Sequence, residues 1–319
     1  MAAPRYRHPD GTPVRDRSVP FELVLSPPNP RLPPALILSF PQTIVVVFEY
    51  GLALAGLVYI GRLLFSSAGR VARARSPVLP AWDLSLVDFL FLGWLVLSIG
   101  IIGQLLFRFT VGPLLHRQPE GDTLAQLFAG SMFHFGTAIT WLGARAWARR
   151  YRPAAIRPYA PVTIDGAQQS LRGGLLTFLA LMPLATGAGL LWERLLQSMG
   201  LPTERQEIVD LILKSKSPAL LGFLIALALV VAPVCEELVF RVGIFRFLRT
   251  RAPRWVAFGV SAGLFALLHG NWMSALPLFI LGLVFAVSYE RTGRMAVPML
   301  AHALFNLNTL LLVLSGVGN

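Results

Sequence analysis

The chain has 319 residues, of which 55% are hydrophobic and only 14% are charged. Because soluble domains carry roughly a quarter charged residues, this balance excludes a soluble globular protein and indicates a membrane protein. The formal net charge of +12 comes mostly from arginines in short loops between apolar runs. That pattern is typical of membrane topology signals and not of nucleic-acid binding, so no nucleic-acid partner is expected.

The chain starts with a proline-rich segment, residues 1–40, which we expect to be an extended or disordered tail. Apolar runs of about 20 residues, long enough to cross a bilayer as helices, recur through the rest of the chain. We therefore predict an all-α, polytopic membrane protein in which residues 41–319 form one domain with about eight transmembrane helices. The predicted helices cover residues 42–65, 84–111, 123–147, 171–192, 219–248, 255–269, 276–289 and 296–314.

The charges of the connecting loops predict the orientation of these helices. The loops after the first, third, fifth and seventh predicted helices contain arginines, whereas those after the second and fourth mix acidic and basic residues. The positive-inside rule therefore places the arginine-rich loops in the cytoplasm. The arginines of the proline-rich tail favour the opposite orientation.

Polar residues interrupt the apolar helices at three places in the last third of the chain, and the first is "CEELVFR". Glu237 and Arg241 are four residues apart, so they share one face of a helix and can pair. Glu236 points about 100° away and has no partner in its own segment. An ionisable side chain inside a membrane span costs about 2.5–3.5 kcal/mol of insertion free energy, so Glu236 is predicted to be functional.

The other two places are "FALLH", which ends in His269, and "HALFN", which contains His302 and Asn306 four residues apart. With Glu236 they supply a carboxylate, two imidazoles and a carboxamide. Amide hydrolysis needs a base that activates water, a proton for the leaving amine and donors for the oxyanion, and these groups could fill the three roles. We predict that Glu236, His269 and His302 converge within the membrane.

Three further groups have a structural interpretation. Cys235, the single cysteine, is predicted to be a small buried residue and not a nucleophile, since an apolar site disfavours the thiolate. His134 has no second polar residue near it in the sequence and is predicted to be structural or cavity-lining. The pair of Glu237 and Arg241 fits a helix-locking ion pair as well as a direct catalytic role.

The three patterns E-E-x-x-x-R, F-x-x-x-H and H-x-x-x-N follow one another on successive apolar helices. In this order they resemble the CPBP family of CAAX prenyl protease 2-type enzymes and bacteriocin-processing or immunity proteins. The resemblance covers about residues 218–312 and implies an intramembrane endopeptidase whose protease core lies there. The implied roles are water activation by Glu236 and His269, oxyanion stabilisation by His302 and Asn306, and support from Glu237 and Arg241.

Cofactor use has two interpretations. Two histidines and a glutamate form a ligand set that catalytic zinc uses, so Glu236, His269 and His302 are the alternative metal ligands. However, Asn306 shares a helix face with His302, and a carboxamide is a poor zinc ligand but a good oxyanion donor. We therefore predict a glutamate-based mechanism with no metal and no other cofactor, an expectation that the family resemblance also favours.

The expected function is hydrolysis of a peptide bond in a membrane-associated or lipid-modified peptide or protein. The lipid bilayer is the second expected partner, and we expect a multi-pass protein of a bacterial cell membrane. Two alternatives belong to other classes. One is a non-enzymatic scaffold or immunity factor of the same fold, and the other is a proton-coupled transporter whose buried glutamate and histidines relay protons.

Overall fold

The computed structural model describes residues 39–74, 79, 82, 84–115, 121–151, 164–201, 203 and 217–317. Within these ranges all regular structure is helical and no residue forms a strand, which confirms the predicted all-α fold. Apart from its last two positions, the predicted proline-rich tail lies outside the described residues. Its extended character and the domain boundary at residue 40 stay predictions.

Each of the eight predicted transmembrane helices coincides with a helix in the structure. The limits differ most for the fourth, predicted at residues 171–192, because its polar ends continue the hydrogen-bonded turns well beyond the apolar run. Two short helices, α2 and α4, were not predicted. The helices are α1 Phe40–Phe65, α2 Ser67–Ala74, α3 Leu86–Thr110, α4 Gly112–Leu115, α5 Gly121–Tyr151, α6 Ile164–Ser198, α7 (residues 218–249), α8 Arg254–Leu268, α9 Ala275–Thr292 and α10 Ala296–Ser315.

Six of the described helices are long and apolar enough to cross a membrane, namely α1, α3, α6, α7, α9 and α10. The other two predicted spans fall short for different reasons. Helix α8 has 15 residues and is about 22 Å long, less than the ~30 Å hydrocarbon core. Helix α5 has 31 residues but is less apolar, since polar side chains such as Ser131 and Thr137 interrupt it. The chain is thus a multi-pass α-helical membrane protein.

Helix α7 carries the two adjacent glutamates and begins at a well-formed cap. The Ser217 hydroxyl accepts a hydrogen bond from the Leu220 backbone N–H at 3.4 Å, and Pro218 stands in the first turn. A proline there costs no hydrogen bond, because the first N–H groups of a helix have no partner within it. The apolar run that follows therefore starts as regular α-helix.

Two wider, π-helical stretches lie further along α7, at Leu227–Val231 and Leu238–Phe245. Just before Pro233, the N–H of Ala232 bonds the carbonyl of Leu227, five residues back instead of four. A π-helical turn rotates the residues that follow it relative to a regular helix. The short α-helical piece between the two stretches contains both glutamates, so these irregularities set the direction of their side chains.

The largest buried apolar cluster surrounds the second half of α7 and draws residues from α6, α8, α9 and α10. Gly282 of α9 lies against Ala262 of α8 so closely that a Cβ at position 282 would be 2.8 Å from the Ala262 Cα. Only glycine permits this approach. The close contact holds α8, and with it His269 directly after its last residue, against the core. The buried members of the cluster are Phe178, Leu181, Met182, Ala185, Phe240, Phe265, Ala266, Leu278, Leu281, Phe285 and Ala301.

Arginine-bearing loops meet at one end of the helix bundle. Arg291, at the end of α9, donates a hydrogen bond from Nη1 to the carbonyl of Arg73 at the end of α2, at 3.1 Å. Arg294 donates from Nη2 to Oε1 of Gln169 near the start of α6, at 2.9 Å. These contacts bring the end of α2 and the start of α6 to the turn after α9, and the cytoplasmic location of this end stays a prediction.

A buried carboxylate fastens the same end of the bundle. Glu290, near the end of α9, is fully buried, and its Oε1 accepts a hydrogen bond from Nε of Arg249 at 2.6 Å. Its Oε2 accepts from Nη2 of Arg254 at 2.6 Å. Because Arg249 ends α7 and Arg254 begins α8, one carboxylate holds the ends of three helices together.

We expect Glu290→Gln to lower the free energy of unfolding in detergent by about 1–3 kcal/mol. The carboxamide is neutral, so both arginines lose their counter-charge, but their partial exposure to solvent reduces the loss. Chemical unfolding of purified protein measures the effect. The matched control is Glu193→Gln, since the Glu193 hydrogen bond to Gln197 is exposed. Equal unfolding free energies for the two variants would contradict the stabilising role of Glu290.

Candidate active site

The carboxylate of Glu236 lies among three histidine rings. The Nε2 atoms of His302 and His269 are 3.8 and 4.0 Å from Oε2, and the Nε2 atom of His134 is 3.9 Å from Oε1. The Glu236 side chain is 17% exposed. These separations are too long for direct hydrogen bonds and suit a single water molecule bonded to both groups. The structure brings together Glu236, His269 and His302, the three residues expected to converge, and adds a third histidine.

His269 is held by the end of its own helix. Its Nδ1 atom is 2.7 Å from the carbonyl oxygen of Phe265, four residues earlier, and the two rings pack edge to face at 4.8 Å. A carbonyl can only accept, so Nδ1 carries the hydrogen and the neutral ring presents an acceptor at Nε2. Gly270 follows in a left-handed conformation, φ 64°, and ends the helix. The F-x-x-x-H pattern thus fixes both the position and the tautomer of the imidazole.

His302 is buried between two carboxylates. Its Nδ1 atom lies 3.1 Å from Oε1 of Glu237, while Nε2 faces Glu236. The ring stacks on Phe285 at 5.1 Å. Because the Glu237 carboxylate only accepts, Nδ1 carries a hydrogen, and Nε2 becomes a donor when the ring holds a second proton. The ring is therefore oriented by one glutamate and directed at the other.

Glu237 and Arg241 form the ion pair that their spacing predicted. Arg241 Nε is 3.1 Å from Glu237 Oε2, and neither side chain is exposed. The guanidinium lies 4.5 Å from the ring centre of Phe265 and 5.2 Å from that of Phe285. Since Glu237 also bonds Nδ1 of His302, the ion pair holds the His302 ring in place.

Asn306 makes a contact that its spacing did not predict. Its Nδ2 donates to the carbonyl oxygen of Ala228, at 2.8 Å, within the first π-helical stretch of α7. In that register the Ala228 carbonyl would be bonded by the N–H of residue 233, but Pro233 has none. The carboxamide thus satisfies a backbone acceptor that the proline leaves open, and its second N–H is left for other use.

His134 faces Glu236, although the sequence predicted it only to be structural or cavity-lining. It belongs to α5, about a hundred residues before Glu236, and no spacing rule connects the two. The thiol of Cys235 donates to the backbone carbonyl of His134 at 3.4 Å, so the helices are in contact at this level. The one available signal was a lone histidine inside a predicted membrane span, where an ionisable group is costly enough to suggest a function.

The site offers donor types that zinc takes, but not an arrangement around one position. Within the described ranges of the chain, no three His, Cys, Asp or Glu side chains are grouped to hold a metal ion. Around a tetrahedral zinc with bonds of about 2.1 Å, neighbouring donor atoms lie roughly 3.4 Å apart. Here His269 and His302 are each about 4 Å from the carboxylate oxygen that they face. The choice between a metal-free site and zinc held by Glu236, His269 and His302 stays a prediction.

Fold and site together define a multi-pass helical membrane protein with a glutamate–histidine centre in its last third. Residues 218–308 match the Rce1-like family, described as type II CAAX prenyl endopeptidase Rce1-like. This region contains Glu236, His269, His302 and Asn306. The family resemblance carried by the three motifs is thereby confirmed for the last third of the chain.

Two curated bacterial proteins are each similar to a part of the chain. Over 96 residues the chain is 31% identical to "Putative membrane peptidase YdiL" of Bacillus subtilis (strain 168), which covers 30% of this chain and 39% of that protein. Over 83 residues it is 37% identical to "Membrane-embedded CAAX protease MroQ" of Staphylococcus aureus (strain USA300), covering 24% and 34%. The chain therefore spans less than half the length of these relatives. No solved structure matches.

Proposed function

We propose that the protein is an intramembrane endopeptidase that hydrolyses a peptide bond of a membrane-associated or lipid-modified substrate with water activated by Glu236. The observation that carries the proposal is the spacing around Glu236 Oε2, which faces Nε2 of His302 and of His269 at 3.8 and 4.0 Å. A water molecule bonded to this oxygen and to an imidazole would be held beside a base. The match of residues 218–308 to a prenyl endopeptidase family supports the same reaction.

The tautomer of His269 supports a defined first step. Its Nε2 can accept one hydrogen bond from water while Glu236 Oε2 accepts the other, which aims a lone pair of the water oxygen away from both. As that oxygen forms a bond to the scissile carbonyl carbon, Glu236 takes the proton. The carbon–nitrogen bond then breaks, and the protonated Glu236 delivers this proton to the leaving amine. Atoms and charge balance without a further reactant.

The negative charge that develops on the carbonyl oxygen needs donors. His302, held through Nδ1 by Glu237, can donate from Nε2 when doubly protonated, and Asn306 retains one N–H beyond its bond to Ala228. Both side chains project from α10, so they can act on one atom. In this proposal Glu237 and Arg241 orient His302 and do not touch the substrate.

The proposed substrate is a peptide or protein in or at a bacterial cell membrane. The family match and the name of the Staphylococcus aureus relative refer to CAAX proteases, which supports a lipid-modified substrate. Comparative membrane peptidomics of cells that carry the wild type or Glu236→Ala tests the function. Fragments that require the wild-type glutamate are expected, and identical peptide sets would contradict an endopeptidase.

We expect cleavage to survive removal of metal ions, because Glu236 itself serves as the base. Purified protein washed with a chelator should retain its kcat within about twofold, since general base catalysis by a carboxylate needs no Lewis acid. Elemental analysis alongside the assay checks this. Stoichiometric zinc whose loss follows the activity, and which His302→Ala abolishes, would overturn the metal-free mechanism.

A further inference from the structure

The two oxygens of the Glu236 carboxylate have different surroundings. Oε2 faces His269 and His302, whereas Oε1 faces His134 Nε2 at 3.9 Å. We propose that His134 is a positioning residue that fixes the plane of the Glu236 carboxylate, so that Oε2 stays directed at the reacting water. This inference rests on the proposed function. It extends the site to α5, which lies outside the region matched by the Rce1-like family.

A glutamate carboxylate turns easily about its terminal bond, and a turn that exchanges Oε1 and Oε2 would disorder the water beside His269. A donor at Oε1 prevents this. A carboxylate only accepts, so the matching tautomer of His134 has its hydrogen on Nε2, and one water molecule completes the contact at 3.9 Å.

The backbone at His134 is fixed from two sides. On one side its carbonyl accepts from the thiol of Cys235, the residue next to Glu236. On the other side a Cβ at Gly136 would lie 2.7 Å from the carbonyl oxygen of Val96 and 2.8 Å from the N of Gly100. Helices α3 and α5 therefore cross at the closest approach that glycine allows. Because its backbone is held in this way, the His134 side chain starts from a fixed position beside the Glu236 carboxylate.

The hydrogen bonding of the His134 ring differs from that of a histidine that only fills space. A histidine that merely fills an interior normally has both ring nitrogens bonded, because burying a polar atom without a partner destabilises the folded protein. The Nδ1 atom of His134 is buried, and the part of the chain that the structure describes gives it no hydrogen-bond partner. The unpaired Nδ1 atom therefore lowers the stability of the protein. The contact of the His134 ring with Glu236 Oε1 gives a functional reason for this position.

The position of His134 predicts a specific kinetic effect. It acts on the orientation of the base and not on the binding of the peptide, so its loss should lower kcat and leave KM unchanged. Partners that orient functional groups in this way typically contribute about 10–100-fold to activity. A side chain of similar length that can donate a hydrogen bond should restore most of the lost kcat, whereas an aromatic ring without a donor should not.

The test compares His134→Phe and His134→Gln with the wild type. The probes are quenched-fluorescent peptides with a farnesylated cysteine near the carboxyl end, randomised after it, and the same peptides without the lipid. We expect His134→Phe to lower kcat about 10–100-fold with KM within about twofold, and His134→Gln to recover to within about threefold of the wild type. The packing control is Thr137→Val, because the buried Thr137 hydroxyl bonds only its own helix, at Phe133 O.

The possible outcomes separate failure of the His134 role from failure of the proposed function. Wild-type kcat in His134→Phe would overturn the positioning role while leaving the proposed function intact. Equal losses in His134→Phe and His134→Gln, accompanied by lower melting temperatures, would assign His134 to packing alone and also overturn it. Should the wild type cleave neither peptide set any faster than Glu236→Gln does, the proposed function fails and this assignment falls with it.

Discussion

Replacing Glu236 with glutamine is expected to lower kcat by about a thousandfold or more and to leave the helices folded. Glutamine has the size and shape of glutamate, but a carboxamide cannot take a proton from water, and general base catalysis contributes about 10²–10⁴-fold. His269 keeps an acceptor at Nε2, so we expect any residual rate of this variant to come from that imidazole. Cleavage kinetics and thermal melts on the same purified samples measure both parts of the expectation.

The matched control is again Glu193→Gln, an identical chemical change at an exposed hydrogen bond. Comparable kcat values for the two variants would show that Glu236 is not the base. A cellular role that survives Glu236→Gln while cleavage is lost would instead favour the scaffold interpretation, since that role needs the fold and not the proton transfer.

The second large effect is expected on stability, at the pair of Glu237 and Arg241. Both side chains are fully buried and 3.1 Å apart, so removing either one leaves an uncompensated charge inside the helix bundle. Glu237→Leu and Arg241→Met should each lower the free energy of unfolding by about 3–5 kcal/mol. The double variant should recover most of that loss, because apolar side chains of similar volume often replace a buried ion pair without penalty.

Activity should not recover in the double variant. His302 loses the Glu237 oxygen that holds Nδ1 at 3.1 Å, so its ring is free to turn away from Glu236. Denaturant unfolding and cleavage rates measured together separate the two contributions. A double variant as stable and as active as the wild type would remove Glu237 from the support of His302, and single variants with unchanged stability would contradict the buried pair.

The local features of this protein were predictable from its sequence because they depend on the helical repeat. Helix positions follow from apolar runs, and four-residue spacing placed Glu237 beside Arg241 and His302 on the face of Asn306. Convergence of Glu236 with His269 was an expectation from burial cost, since each is a polar group that an apolar helix must direct inward. The functional roles of these residues stay predictions.

The features that escaped prediction depend on contacts between helices distant in the chain. His134 reaches Glu236 because α5 contacts α7 where the Cys235 thiol bonds the His134 carbonyl, and a lone histidine carries no sign of that contact. Glu290 finds Arg249 and Arg254 from positions 41 and 36 residues away. The π-helical turns in α7 also have no sequence repeat of their own, although Pro233 marks the neighbourhood of one.

The bond from Asn306 to the Ala228 carbonyl makes two distant positions thermodynamically dependent on each other. Pro233 leaves a backbone acceptor open in α7, and a side chain on α10 closes it. An alanine at 233 would return the missing N–H and make Asn306 dispensable for folding. Substitutions at 306 consequently combine two effects, a structural defect and a chemical one, whose sum varies with the residue at 233. The same asparagine change can therefore have unequal outcomes in two homologous chains, even when both use it for identical chemistry.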